Sequence, residues 1–168
     1  IIGFIDDIVD LSPFIRLTFQ IIISLLLCKF GLLINTIDFS FLNIEAFQNF
    51  EVPPFLGYII SVLWLAGVTN AFNWVDGLDG LAAGLGIISS IGLVFINISY
   101  ENFSLAVLAL LIVFSLLGFL KYNFYPSSIY MGDGGSNFLG FTLASISLIS
   151  TPNFTNTINS LILISLFF

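Results

Sequence analysis

The sequence contains no histidine, one cysteine (Cys28), one methionine (Met131) and three basic residues in 168. Each shortage excludes something. Without histidine these residues offer no imidazole base, proton shuttle or imidazole metal ligand. One cysteine excludes an internal disulfide and a thiolate metal cluster. Cys28 sits in an apolar run and reads as packing. Three Lys and Arg against ten Asp and Glu leave no basic stripe for a phosphate backbone, so a nucleic-acid partner is excluded. Charged residues make up 8% of the chain, against roughly 25% in an ordinary soluble domain. In their place stands a 58% apolar composition with a mean hydropathy of +1.13. A soluble domain of this size leaves too much of its area in water to hide that surface. The remaining class is an integral membrane protein.

A spanning helix needs about 20 mostly apolar residues. The pattern predicts an all-α, polytopic transmembrane bundle with spans near 14–34, 55–68, 81–98, 103–120 and 138–150. A sixth begins near Ile158. The first opens on Ser12-Pro13, an N-cap followed by proline at the first helical position. Arg16 and Gln20 lie in its first turns, and Lys29 near its far end can snorkel. The second is short and borrows from Asn70-Ala71-Phe72. Residues 35–54 are polar, with a pattern too irregular to assign strands. The chain begins Ile1-Ile2-Gly3 and ends Phe167-Phe168 within an apolar stretch. Both ends predict a single piece, 1–168, of a longer protein.

Counting crossings sorts the loops. Residues 1–12, 69–80 and 121–137 fall on one face of the membrane; 35–54, 99–102 and 151–157 fall on the other. The first face gathers Asp6, Asp7, Asp10, Asp76, Asp79 and Asp133, which is six of the ten acids. Arg16 and Lys121 lie on that face too, so the positive-inside rule makes it cytoplasmic. Carboxylates at a membrane boundary are costly. One reading is a solvated rim of helix and turn caps. The other is a divalent cation offsetting the surplus charge, and oxygen ligands favour Mg²⁺, Mn²⁺ or Ca²⁺ over zinc.

Three islands carry the acids. In the first, GFIDDIVDLSP, like charges recur at helical spacings and repel unless they converge on a metal. The second is NAFNWVDGLDGLAAG. There Asn73, Asp76 and Asp79 recur every three residues, so a helical turn would align them. The third is YNFYPSSIYMGDGGSNFLG. A glycine-rich turn before a helix exposes N–H groups suited to a phosphate, though G-K-[ST] is missing.

In order and spacing these islands resemble the polyprenyl-phosphate N-acetylhexosamine-1-phosphate transferase family, within glycosyltransferase family 4, over residues 1–150. The resemblance implies multi-span helical enzymes of the plasma (inner) membrane with cytoplasmic active sites. They use Mg²⁺ (or Mn²⁺) to join the sugar phosphate of a UDP-N-acetylhexosamine to a polyprenyl phosphate such as undecaprenyl phosphate, for cell-envelope polysaccharide. It implies catalytic roles for Asp6 and Asp7, and metal ligation by Asp133 beside Asn73. It places Asn70, Asp76, Asp79 and Asn123 along the nucleotide-sugar cleft. Gly134 and Gly135 would supply backbone donors. Asp10 stands where the phospho-N-acetylmuramoyl-pentapeptide branch usually has lysine, which points to a simpler UDP-sugar such as UDP-N-acetylglucosamine. The family's earlier spans and its histidine-containing loop are not in these residues. A homodimer is left open. The rival classes are a cation transporter using the aspartates and a non-enzymatic membrane scaffold.

Overall fold

The computed structural model describes residues 2–9, 11–38, 50–150 and 157–159. It is a helix bundle: α1 (Ile2–Val9), α2 (Pro13–Lys29), α3 (Pro54–Val75), α4 (Leu81–Ser99), α5 (Phe103–Asn123) and α6 (Gly132–Ile149). Strands β1 (Thr36–Asp38), β2 (Phe50–Glu51) and β3 (Thr157–Asn159) form a small patch. Local chemistry fixes the starts. Pro13 and Pro54 stand at the first positions of α2 and α3, each after an extended residue, where a missing N–H costs nothing. Gly80, at φ 74°, turns the chain into α4, a conformation glycine adopts without strain.

The five expected spans correspond to α2–α6. Three of them, α3, α4 and α5, are long and apolar enough to cross a membrane by length and composition. α2 is shorter at 17 residues, and α6 opens on a polar turn. Four boundaries differ from the sequence expectation: α2 stops at Lys29 rather than 34, α5 runs to Asn123 rather than 120, and α3 and α6 differ where the site lies. α3 runs on to Val75, so Asn70 and Asn73 are helical. α6 begins at Gly132, six residues before the expected 138, so Gly132–Gly140 of the third island are already helical.

α3 packs along α6, α4 along α5, and α1 against the start of α6. The core runs through Leu65, Val68 and Phe72 of α3, Leu93 of α4 and Leu139, Leu143 and Ala144 of α6. Small residues set the spacing. A Cβ on Gly140 would come within 2.9 Å of the Thr69 Cα and 3.0 Å of the Val68 carbonyl. Polarity is inverted relative to a soluble protein. Ser61, Ser89, Ser90, Asn97 and Ser147 are buried, while Phe95, Phe103, Leu111 and Phe114 face outward. Hydrocarbon solvent favours that arrangement, since helices there are joined by small and polar side chains rather than by apolar burial.

The strands test the loop sorting on the far face. β1 pairs antiparallel with β2 and parallel with β3, with Thr36 opposite both Glu51 and Thr157. β1 and β2 belong to the loop 35–54, and β3 starts at Thr157, the last residue of the loop 151–157 that parity puts on the same face. The sequence left these strands unassigned. The sixth span, expected from Ile158, is not helical at Thr157–Asn159, which is strand; residues 160–168 lie outside the described residues.

Candidate active site

Adjacent residues on a helix point about 100° apart, and Asp6 and Asp7 accordingly serve different neighbours. Asp6 turns toward α2 and is 4% exposed. It accepts hydrogen bonds from the Leu11 amide and from Arg16 Nη1, each at 2.7 Å. The same Arg16 nitrogen donates to Asp133 Oδ2 at 3.0 Å. Asp7 turns toward α6. Its carboxylate accepts the Asp133 N–H at 2.8 Å and the Gly134 N–H at 3.0 Å. A helix start leaves four amides unpaired and carries partial positive charge. Here a carboxylate from another helix satisfies two of them.

Asp133 is the centre of this arrangement. Its Oδ1 accepts from Asn73 Nδ2 in the last turns of α3, and the same Asn73 amide reaches Ser136 Oγ at 3.0 Å. Its carbonyl accepts from Asn137 Nδ2 at 2.7 Å. α1 can approach this closely because its facing residue is Gly3. A Cβ there would lie 2.7 Å from both the Asp133 carbonyl oxygen and the Gly134 Cα. Gly134 is required for the same reason, with Asp7 Oδ2 3.0 Å from where its Cβ would stand. Gly135 packs against Met131.

Asp76 closes α3 at its C-cap. Burial pushes its carboxyl up; the Gly132 amide pulls it down, and the charges on Asp133 and Asp7 push it up again, for a net rise. At Asp6 burial also pushes upward. Hydrogen bonds with the Asp133 side chain, the Leu11 amide and Arg16, with the Arg16 charge, outweigh it and hold Asp6 below the ordinary carboxylate range. Among the described residues Arg16 is the one cation paired with these acids.

Asp79 and Asn123 are placed differently from the expectation. The aligned turn through Asn73, Asp76 and Asp79 does not form, because α3 ends at Val75 and the chain turns through 76–80. Asp79 instead accepts from the Ser127 amide at 3.0 Å and its hydroxyl at 2.8 Å. Asn123 is buried. It accepts from the Gly80 amide at 3.1 Å and donates to the Ile129 carbonyl at 2.9 Å. Both residues brace the turn after α3 against the loop before α6. Asn70, one turn below Asn73, donates to Gln20 and to the Ala66 carbonyl. Asp10 lies outside the described residues.

The sequence reading did not single out Arg16, Gln20, Ser136 and Asn137 as site residues. A cavity of about 190 Å³ opens beneath the acids, with Arg16, Gln20 and Asn137 as polar lining and Ile23, Phe138 and Phe141 as apolar lining. Its signal was available, since Arg16 and Gln20 are polar residues four apart at the start of an apolar run, and intramembrane polar residues mark function.

Among the described residues no three acids converge as a cage for a metal ion. Mg²⁺ seldom needs one; it takes one or two carboxylates plus substrate phosphates. Asp133 with Asn73, and Asp76 with its raised pKa in an acid cluster, fit that demand for hard oxygen donors.

Residues 1–151 match the family described as glycosyl transferase family 4. The chain is 37% identical over 149 residues to a "Probable undecaprenyl-phosphate N-acetylglucosaminyl 1-phosphate transferase" of Bacillus subtilis, covering 89% of this chain and 40% of that protein. It is 36% identical over 157 residues to a phospho-N-acetylmuramoyl-pentapeptide-transferase of Staphylococcus saprophyticus, covering 88% and 49%. A protein of the same name from Staphylococcus haemolyticus is 35% identical over 178 residues, covering 100% and 54%. The chain thus spans about half the length of these relatives.

Proposed function

The chain belongs to glycosyl transferase family 4, and from that premise we propose that the protein containing it transfers N-acetylhexosamine-1-phosphate from a UDP-sugar to a polyprenyl phosphate. UMP is released, and residues 1–168 are the catalytic-core segment. The observation that carries this reading is the meeting of the first and second islands, through Asp7 and Asn73, on Asp133 of the third, with Arg16 joining from α2.

In the reaction a lipid-phosphate oxygen forms a bond to the β-phosphorus, and the bond from that phosphorus to the bridging oxygen breaks. UMP leaves with the electron pair. Two anions must approach one another, so positioning and charge compensation dominate. Asp133 and Asn73, with Asp76 beside them, would hold the Mg²⁺ or Mn²⁺, which when bound neutralises charge on the diphosphate. Arg16 brings a cation beside the apolar side chains of Ile23, Phe138 and Phe141 in a cavity also lined by Gln20, Thr69 and Asn137. That pairing suits a phosphate carried on a prenyl chain. Asp7 occupies the α6 N-terminus, so the Gly134 amide is already committed to a carboxylate. Asp7 therefore orients the metal-bearing turn, and it is the more exposed of the adjacent pair. A lipid phosphate is ionised near neutral pH and needs orientation more than deprotonation. The acids lie at helix ends on one face, whereas transporter ion sites lie near the bilayer midplane.

We place the aspartate face on the cytoplasmic side, with UDP-N-acetylglucosamine as donor and undecaprenyl phosphate as acceptor. The test is transfer between those two substrates by the full-length protein, with and without Mg²⁺. Metal-dependent UMP release coupled to a lipid product is the expected result. Absence of product with active relatives run in parallel would overturn the reading.

A further inference from the structure

α2 carries a second polar side chain inside the apolar run. Gln20 lies one turn below Arg16 on the same helical face, as residues four apart do. It accepts from Asn70 Nδ2 of α3 and donates Nε2 to Asn137 Oδ1 of α6 at 3.1 Å. Asn137 in turn donates Nδ2 to the Asp133 carbonyl at 2.7 Å. Three amides from three helices thus form one continuous chain that ends on the backbone of Asp133. Gln20 and Asn137 each accept through the oxygen and donate through the nitrogen, while Asn70 donates its nitrogen both to Gln20 and to the Ala66 carbonyl, so the chain runs in one direction.

The placement has a mechanical consequence. α2 packs chiefly along α3, and the cavity lies between α2 and α6. Across that cavity the two helices are joined by Gln20–Asn137 and Arg16–Asp133. Apolar side chains in hydrocarbon tolerate rotation and sliding of a helix, because lipid replaces each lost contact. Directional amide bonds do not, since an unpaired amide in that setting is costly.

We infer that Gln20 is a positioning residue, which locks α2 to α3 and α6 and so holds Arg16 between Asp6 and Asp133. Its catalytic consequence rests on the function proposed above; its geometric consequence does not.

The experiment uses the full-length protein in detergent and Gln20→Met, which keeps the side-chain bulk and removes both polar ends. The first readout is modification of Arg16 by phenylglyoxal, mapped by mass spectrometry. Release of Arg16 should raise its rate by about fivefold or more, as local opening does, while the melting transition stays cooperative. The second readout is turnover of UDP-N-acetylglucosamine with undecaprenyl phosphate. Misplacing a positioned group should lower kcat by about tenfold or more and leave KM for the UDP-sugar near the wild-type value. Should Gln20→Met fail to fold, Asn137→Leu breaks the same bond from α6 and takes the same measurements. In the double variant the two losses should not add, because they remove one link. Unchanged Arg16 reactivity in a folded variant overturns the proposal, as does wild-type kcat. Faster Arg16 modification in a protein whose wild type makes no lipid product would instead sink the functional reading and leave the positioning role standing.

Discussion

Asp133 touches α1 through Asp7, α2 through Arg16 and α3 through Asn73, and the behaviour of single residues follows from that crowding. Asp76 shows it most clearly. Its carboxyl is raised above 3.8 by burial and by the Asp133 and Asp7 charges. The folded state therefore holds that proton more tightly than the unfolded state, and its contribution to stability falls as pH rises through the interval above 3.8. Asp76→Asn should melt at a higher temperature than wild type in metal-free buffer at neutral pH. The gain should vanish as the pH is lowered toward 3.8. Thermal denaturation across that range checks it. Asp79 makes a contrasting prediction. Since it braces Ser127, Asp79→Asn and Ser127→Ala should each cost about 1 kcal/mol of stability, and their effects should fall short of additivity. The aspartates were legible as a group because ionised residues in so apolar a chain demand a reason. Their separate roles were not, because the direction each faces depends on where α3 ends. Arg16 was visible in the sequence but read as an interfacial cation, since its two carboxylate partners lie 10 and 117 residues away.

At the scale of elements, the site depends on how closely α1 lies on α6. Gly3 permits the contact, and no charged group is involved at that position. Gly3→Ala places a methyl carbon against backbone, and such overpacking costs about 1–3 kcal/mol. The full-length variant should melt earlier and lose turnover although every acid is intact. Wild-type activity with an unchanged melt would show that α1 can shift without disturbing Asp7 and Asp133. Helix starts were readable where proline or glycine set them, as at Pro13, Pro54 and Gly80. The start of α6 was not. Gly132, Gly134 and Gly135 argue for a turn by propensity, and the tertiary bonds from Asp7 make that stretch a helix.

For the whole molecule, crossing parity was the most informative reading of the sequence. It put the three islands together, and they meet in the structure. The short strands escaped notice because two or three residues carry too little alternation to register. Parity also puts residues 69–80 and 99–102 on opposite faces, and the function proposed above takes the first as cytoplasmic. In a background without other accessible cysteines, an impermeant maleimide should label Glu101→Cys in intact cells. It should reach Gly77→Cys only after permeabilisation. Labelling of both from the same side would contradict the topology.

The central claim is that Asp133, held by its neighbours from α1, α2 and α3, carries a divalent ion together with the diphosphate of a nucleotide sugar. Electron paramagnetic resonance of Mn²⁺ added to the full-length protein tests it without requiring turnover. UDP-N-acetylglucosamine should strengthen Mn²⁺ binding to the wild type, and Asp133→Asn should abolish that gain while remaining inserted and folded. Mn²⁺ binding by folded Asp133→Asn that matches wild type, with and without the nucleotide sugar, would contradict the account.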